Sequence, residues 1–362
     1  LSKRPNAKPI IINGDMAVAQ RATSVTGHSA VSYTTVDRFK TVCETGTYTV
    51  IQESLTSGAA YLAGFKNALR LDTTTAEATA GSAGEQTTIE QRIEGQNLQA
   101  FKKGTSSAEK YTLAFWVKAS KTGSNLQVNL RDGDNSRQIG GTYSISSADT
   151  WEHKVVNYAA DTTGAFGDDN GASLTIEWFL DGGGNYSGGA VPTAWEANNN
   201  ANRNVTNFDL AGNTANDWAI TGVQLEVGEF SSTTLPPFQF EDFGDNLQRC
   251  LRYYYRANGR CGFGAGTGFV QDGDVKAYIY HTMPVAPRTE FSFSLSGTSG
   301  AIITIDGNAG DDVQSISSIH ADSFPFKDYE FNFVTDGSSI TDKAGMGIRI
   351  NASNYIECDA EL

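Results

Sequence analysis

The sequence has few of the residues that carry metal, redox or nucleotide chemistry. Its 362 residues include 4 Cys and 4 His. The cysteines, at 43, 250, 261 and 358, form no CxxC pair and have no zinc spacing. They read as core thiols, with a Cys250–Cys261 disulfide left open as the alternative. The histidines, at 28, 153, 281 and 320, form no HExxH motif. No Walker loop is present. The glycine-rich run at 262–266 is not followed by the helix that would receive a pyrophosphate. The run at 297–301 reads GTSGA, so it lacks the last glycine of a nucleophile elbow. Basic charge is also scarce: 27 Lys and Arg face 41 Asp and Glu, for a net charge of −14. Residues 1–240 carry −6 and residues 241–362 carry −8, so neither half offers the basic block that nucleic acid requires. No apolar run approaches the roughly 20 residues needed to cross a bilayer, so membrane insertion is not expected. The apolar stretch at 10–12 is too short for a secretory core segment.

With 38 Gly and 3 Met, the chain is one of turns and short strands rather than long helices. Period-two alternation recurs along it. At 125–131, Leu126, Val128 and Leu130 fall on one face and polar residues on the other. The runs 111–118, 174–180 and 219–227 behave in the same way. Turn clusters at 121–124, 132–135 and 168–171 separate them. The pattern predicts an all-β protein with an N-terminal jelly-roll β-sandwich over 1–240.

One segment departs from this alternation. In EDFGDNLQRCLRYYY, residues 241–255, Leu247, Leu251 and Tyr254 share a helical face. Asp245 is placed to cap the first turn, which predicts a short linking helix over about 245–253. Pro236 and Pro237 precede it and cannot continue a ladder. A smaller C-terminal antiparallel β-sandwich is expected over 241–362. Its strands are expected near 275–280, 290–295, 301–305 and 329–334, with a closing hairpin from 347–351 and 355–360.

Catalysis has little support, and no enzymatic activity is expected. Paired acids such as Glu177 and Glu196 are the one route to glycoside hydrolysis, but 41 acids make chance pairs certain. No cofactor is expected beyond, at most, one structural Ca2+. Three acidic loops, at 132–135, 168–170 and 306–312, have the oxygen ligands for it and otherwise read as solvated turns. In the last loop an EF-hand register fails, because its twelfth position is Ser317. Aromatic residues give the binding signal. Tyr186 and Trp195 lie in a long polar stretch, 181–207, and Trp178 lies just upstream. Long loops of this kind are uncommon in compact domains and often functional. Trp178, Tyr186 and Trp195 are therefore the candidate carbohydrate-binding residues, the alternative being that they cover the core. Trp116, Trp151 and Trp218 lie in or beside strands and are expected in the core.

The run INGDMAVAQRATS at 12–24, followed by YTTVDRF at 33–39, resembles a segment near the start of tailed-phage fibre and virion structural proteins. QRIEG at 91–95, YTLAFWVKA at 111–119 and TWE at 150–152 are similar to strands of their carbohydrate-binding-module-like jelly roll. WAITGVQLEVG at 218–228 resembles its closing strand, and NLQRCLRYYY at 246–255 the link into a C-terminal β domain. The resemblance implies a virion tail appendage, assembled in the host cytoplasm and usually trimeric. Its implied partners are other virion proteins and a bacterial surface glycan. It also admits a purely structural virion component, such as a head fibre or tail adaptor, and less readily a polysaccharide depolymerase. It carries no catalytic residues over, and it implies an architectural role for 13–23.

Overall fold

The computed structural model describes residues 8–77, 82–258, 270–271, 276–295, 301–305, 308–313, 321–322, 328–334, 346–350 and 355–362. Contacts divide the chain into two units, Leu1–Asn246 with Leu362, and Leu247–Glu361.

The first unit is a sandwich of two antiparallel sheets. Its strands are β1 (Ser24–His28), β2 (Val31–Tyr33), β3 (Lys40–Cys43), β4 (Thr47–Ser54), β5 (Asn67–Thr75), β6 (Gln86–Glu94) and β7 (Tyr111–Ala119). They continue as β8 (Gly123–Asp132), β9 (Arg137–Ile145), β10 (Glu152–Tyr158), β11 (Ala172–Gly182), β12 (Glu196–Ala197) and β13 (Asp217–Val227). The first sheet has the order β1-β4-β5-β13-β7-β10, and the second β12-β9-β8-β11-β6-β3-β2. From β5 through β8 every strand changes sheet, the path of a jelly roll.

Alternation decides which side chains meet between the sheets. Leu113, Phe115 and Val117 of β7 and Leu174, Ile176, Trp178 and Leu180 of β11 are all buried in one core. Phe115 stands edge-on to Trp178 with ring centroids 5.7 Å apart, and edge-on to Tyr143 of β9 at 5.2 Å. Both are the offset geometry that ring quadrupoles favour.

The central strand of the first sheet, β13, arrives last and fits between β5 and β7. It bulges between Thr221 and Gln224, where Gly222 adopts φ +62. Beside the bulge, Val223 N donates to Gly14 O at 2.9 Å. A Cβ on Gly14 would sit 2.2 Å from Val223 O, so only glycine allows this approach. Asn13 holds the turn: its amide donates to Val18 O and Asp37 O, each at 2.9 Å, and its Oδ1 accepts from Val18 N at 2.9 Å. Residues 13–18 thus tie the chain entry to the last strand, which is an architectural role.

The linking helix is α2 (Phe243–Leu251), two residues earlier than the spacing predicts. Asp242, not Asp245, caps it: Asp242 Oδ1 accepts from Gly244 N at 2.8 Å. Asp245 instead lies in the first turn, where its charge suits the helix dipole. Tyr254 is not on the helix but begins β14.

The second unit holds β14 (Tyr254–Asn258), β15 (Val270–Gln271), β16 (Lys276–Thr282), β17 (Ser292–Leu295), β18 (Ala301–Ile305) and β19 (Asn308–Val313). The remainder are β20 (Ala321–Asp322), β21 (Asp328–Val334), β22 (Met346–Ile350) and β23 (Tyr355–Asp359). They form three antiparallel sheets, β14-β23-β17, β15-β16-β21-β20 and β19-β18-β22. The expected closing hairpin is not formed. β22 pairs with β18, and β23 pairs with β14 and β17. Alternation identifies a strand without naming its partner, and here the last two strands enter different sheets. Cys43, Cys250 and Cys358 are buried; Cys261, and with it any Cys250–Cys261 pair, lies outside the described residues.

Gly14→Ala should shift the urea midpoint of the first unit downward, by about 1–3 kcal/mol of stability, because the new methyl must displace the β13 bulge. Denaturation followed by tryptophan fluorescence measures it.

Candidate functional site

The three aromatic residues expected to bind sugar lie in the core. Trp178 is 0 % exposed, Tyr186 7 % and Trp195 8 %. Trp178 takes an inward position on β11, opposite Ile89 and Val128. The Tyr186 hydroxyl donates to Gly84 O at 2.9 Å, and Trp195 Nε1 donates to Ala159 O at 2.9 Å. None of the three offers a free ring face. The correction has a physical cause: the stretch 181–207 is long and polar because it is tied down across the outer face of the second sheet. Gln127, Asn129 and Gln138 on that face donate to Asn202 O, Arg203 O and Asn199 O at 2.6, 2.9 and 2.9 Å.

Beneath this stretch lies the buried carboxylate of Glu177. It accepts from both Arg203 nitrogens Nε and Nη2, from Asn129 Nδ2 at 3.0 Å and from Arg131 Nη1 at 3.4 Å. Burial pushes its pKa up, but Arg203, Arg131 and Asn129 outweigh burial and hold it below the ordinary range. A glycosidase acid needs the opposite shift. Glu196 Oε1 is likewise engaged, accepting from Gln138 Nε2 at 3.0 Å and Asn202 Nδ2 at 2.7 Å.

The acidic loops are engaged as well. Asp132 Oδ1 accepts from the backbone amides of Asp134 and Asn135, and its Oδ2 faces Lys103 Nζ at 2.6 Å. Asp169 Oδ1 accepts from Gly171 N at 2.8 Å. Among the described residues, no group of three or more His, Cys, Asp or Glu side chains is arranged to hold a metal. Asp306 and Gly307 of the third loop lie outside the described residues, and Asn308 to Asp312 belong to β19.

Accessible aromatic surface lies instead on the outer face of the first sheet. On β7, Thr112, Ala114, Trp116 and Lys118 point away from the core, in antiphase to Leu113, Phe115 and Val117. Trp116 is directly opposite His153 of β10 and Thr221 of β13. The Trp116 and His153 rings are 5.0 Å apart and tilted by 36°. Both are half-buried. Among the described residues, neither the Trp116 indole N–H nor the His153 ring makes a hydrogen bond. The bulge sets this geometry, since a Cβ on Gly222 would be 2.9 Å from Trp116 Cδ1.

An apolar ridge adjoins the pair. The short helix α1 (Gly58–Leu62) leads to Phe65, whose ring meets Phe238 at 4.9 Å and Phe240 at 5.1 Å. Leu62 is 84 % exposed and Phe240 51 %. A pocket of about 170 Å3 opens on the same sheet, lined by Gln224, Glu226, Phe238, Gln239, Ile10 and Lys8. Gln224 Nε2 donates to Pro236 O at 3.1 Å, which fixes one pocket wall. The Trp116 indole, packed against the cluster that holds Leu55, Phe65 and Trp151, keeps its N–H and the exposed part of its ring for stacking on the C–H face of a pyranose. Trp116 lies outside the core between the sheets: its register within 111–118 matches the outward residues, and there it packs, half-buried, against that cluster.

No protein-family model matches the sequence, and no curated protein matches it. Similarity to solved structures is distant. The chain is similar to the bacteriophage CBA120 tailspike protein 4 enzymatically active domain, at 13% identity and TM-score 0.29, over 60% of this chain and 21% of that one. The CBM22-1 xylan-binding domain from Paenibacillus barcinonensis Xyn10C is 10% identical at TM-score 0.27, covering 57% of this chain and 94% of that domain. The CBM22-1-CBM22-2 tandem domain of the same protein is 12% identical at TM-score 0.27, covering 95% and 98%. These scores carry no argument on function; the all-β sandwich is established by the strand order of the chain itself.

Trp178→Ala and Trp195→Ala should each destabilise the first unit by about 3–5 kcal/mol, as core truncations do. Trp116→Ala should cost about 1 kcal/mol or less. Chemical denaturation separates the two classes.

Acidification gives a second test. Burial lowers the pKa of His153, and burial also lowers that of His28, with the backbone bond to Ala30 opposing it. The unfolded chain therefore binds protons first as pH falls. Stability should be complete above the ordinary value of 6.5 and decline as pH drops through the lower folded values. A melting temperature that falls between pH 7.5 and 5, less steeply in His153→Gln, is the expected result.

Proposed function

We propose that this chain is a virion fibre protein of a tailed phage, in the tail appendage, that attaches without catalysis to a glycan of the bacterial surface. The observation that carries the reading is the Trp116–His153 pair. It leaves two rings and their unpartnered nitrogens half exposed on a rigid sheet face. Sites on strands hold their geometry better than sites on mobile loops. The ordered resemblance of residues 12–24, 33–39, 111–119 and 218–228 to tailed-phage fibre proteins supports the virion setting. The acidic charge of −14 is compatible with a partner recognised by stacking and hydroxyl contacts rather than through phosphate.

A homotrimer fits the same reading. Closed rotational symmetry is the usual form of homo-oligomers. The exposed Leu62 and Phe240 are the kind of apolar surface that assembly covers.

Binding of the purified protein to surface polysaccharide of candidate hosts tests the proposal, with light scattering reporting three copies. Trp116→Ala should weaken binding at least about tenfold, as loss of a central aromatic anchor does. Trp116→Phe should retain part of it, and both variants should melt near the wild-type temperature. Unchanged binding by a folded Trp116→Ala variant would remove this face as the site. A wild-type protein that binds no surface glycan would point to a purely structural virion component, and release of reducing ends to a depolymerase.

A further inference from the structure

Lys103 is the most deeply enclosed cation among the described ion pairs: its side chain is 0% exposed. Its ammonium lies 2.6 Å from Asp132 Oδ2 and 3.1 Å from Asp161 Oδ2. It also donates to Thr163 O at 3.0 Å and Gly164 O at 2.7 Å. Two carboxylates and two carbonyls make an all-oxygen cage, the ligand set of a hard metal cation. The rings of Phe166 and Trp195 close it, each with its centroid 5.2 Å from Nζ. Arg137 balances the second acid, with Nε 2.8 Å from Asp161 Oδ2.

We infer that Lys103 is a built-in counter-cation occupying a hard-cation site, so that the loops it joins keep their fold without a metal ion. Three connections converge on Nζ. Lys103 follows a 3-10 turn, Gln99–Phe101, and is flanked by Lys102 at φ 50 and Gly104 at φ 81. Asp132 ends β8, and 161–164 follows β10. The ammonium has three N–H groups for four oxygens, so it is held by every donor it has. Asp161 responds as a carboxylate in such a cage should. Burial raises its pKa, while Arg137, Thr163 N and Lys103 outweigh that and lower it. Asp132 of the acidic turn and residues 161–164 together form a cation site in its chemistry, with the cation supplied covalently by the chain.

Thermal melting tests this independently of glycan binding. The wild-type protein should melt at one temperature in EDTA and in millimolar CaCl2. Lys103→Met, which keeps the stem and removes the charge, should melt about 10 °C lower, because it strands the buried Asp132 carboxylate and leaves Asp161 with Arg137 as its one cation. Asp132→Asn should recover part of that loss in the Lys103→Met background and lower the melting temperature in the wild type. Lys103→Ala, which empties the cage, should be raised by CaCl2 or methylammonium more than Lys103→Met is. Destabilisation of the wild type by EDTA would overturn the inference. So would a Lys103→Met variant as stable as wild type, or strictly additive effects of the Lys103 and Asp132 changes. If Lys103→Ala does not fold even with cation present, the other comparisons decide.

Discussion

Each strand of the first unit must bury one face against a facing sheet, and the rest of that unit follows from this constraint. Phe115, Tyr143 and Trp178 meet edge to face between the two sheets. Their inward positions turn the residue on either side of each outward. The outer faces are then either covered by the chain's own connections or left to partners. On the second sheet the stretch 181–207 covers much of the face, and its backbone carbonyls satisfy the amides of Gln127, Asn129 and Gln138. On the first sheet the cover is incomplete, and Trp116 and His153 remain at the surface.

Buried charge is the second organising element. An acidic chain that folds cations inward must give each one partners, since an unpaired buried charge costs several kcal/mol. Glu177 takes Arg203 and Arg131; Lys103 takes Asp132 and Asp161. These clusters sit where long connections cross the sheets. Attraction between them replaces the apolar packing that polar loops cannot supply. The cost of desolvation is offset by the hydrogen bonds that surround each charge, although Arg131 Nε and Gln138 Oε1 are buried without a partner. The same networks give Glu177, Glu196, Asp132 and Asp161 their hydrogen-bond partners.

The candidate site was legible in the sequence in kind but not in place. The jelly roll followed from alternation, whereas the aromatic surface was expected at Trp178, Tyr186 and Trp195 rather than on β7. The polar stretch 181–207 looked like a binding loop because composition reports polarity without saying what satisfies it. Here its polar groups are bonded inward, and Trp195 and Tyr186 fill space beneath. Residue type alone does not separate Trp116 from the core aromatics of β7. In β7 the parity was right: Trp116 shares a face with Lys118 and Thr112.

The strands at 111–119, 123–132, 172–182 and 217–227 and the helix near 245 were determined by the sequence itself, because side-chain period and local turn chemistry act over a few residues. The helix start moved two residues because Asp242 and Asp245 are both competent caps, and only the backbone geometry chose between them. Strand partners were decided by the tertiary structure. β13 entered between β5 and β7, and β22 and β23 entered different sheets, because pairing depends on contacts far apart in the chain. Tertiary structure likewise chose which tryptophan meets solvent and which cation fills the oxygen cage. Both depend on three or more segments converging, and no local pattern of residues encodes that.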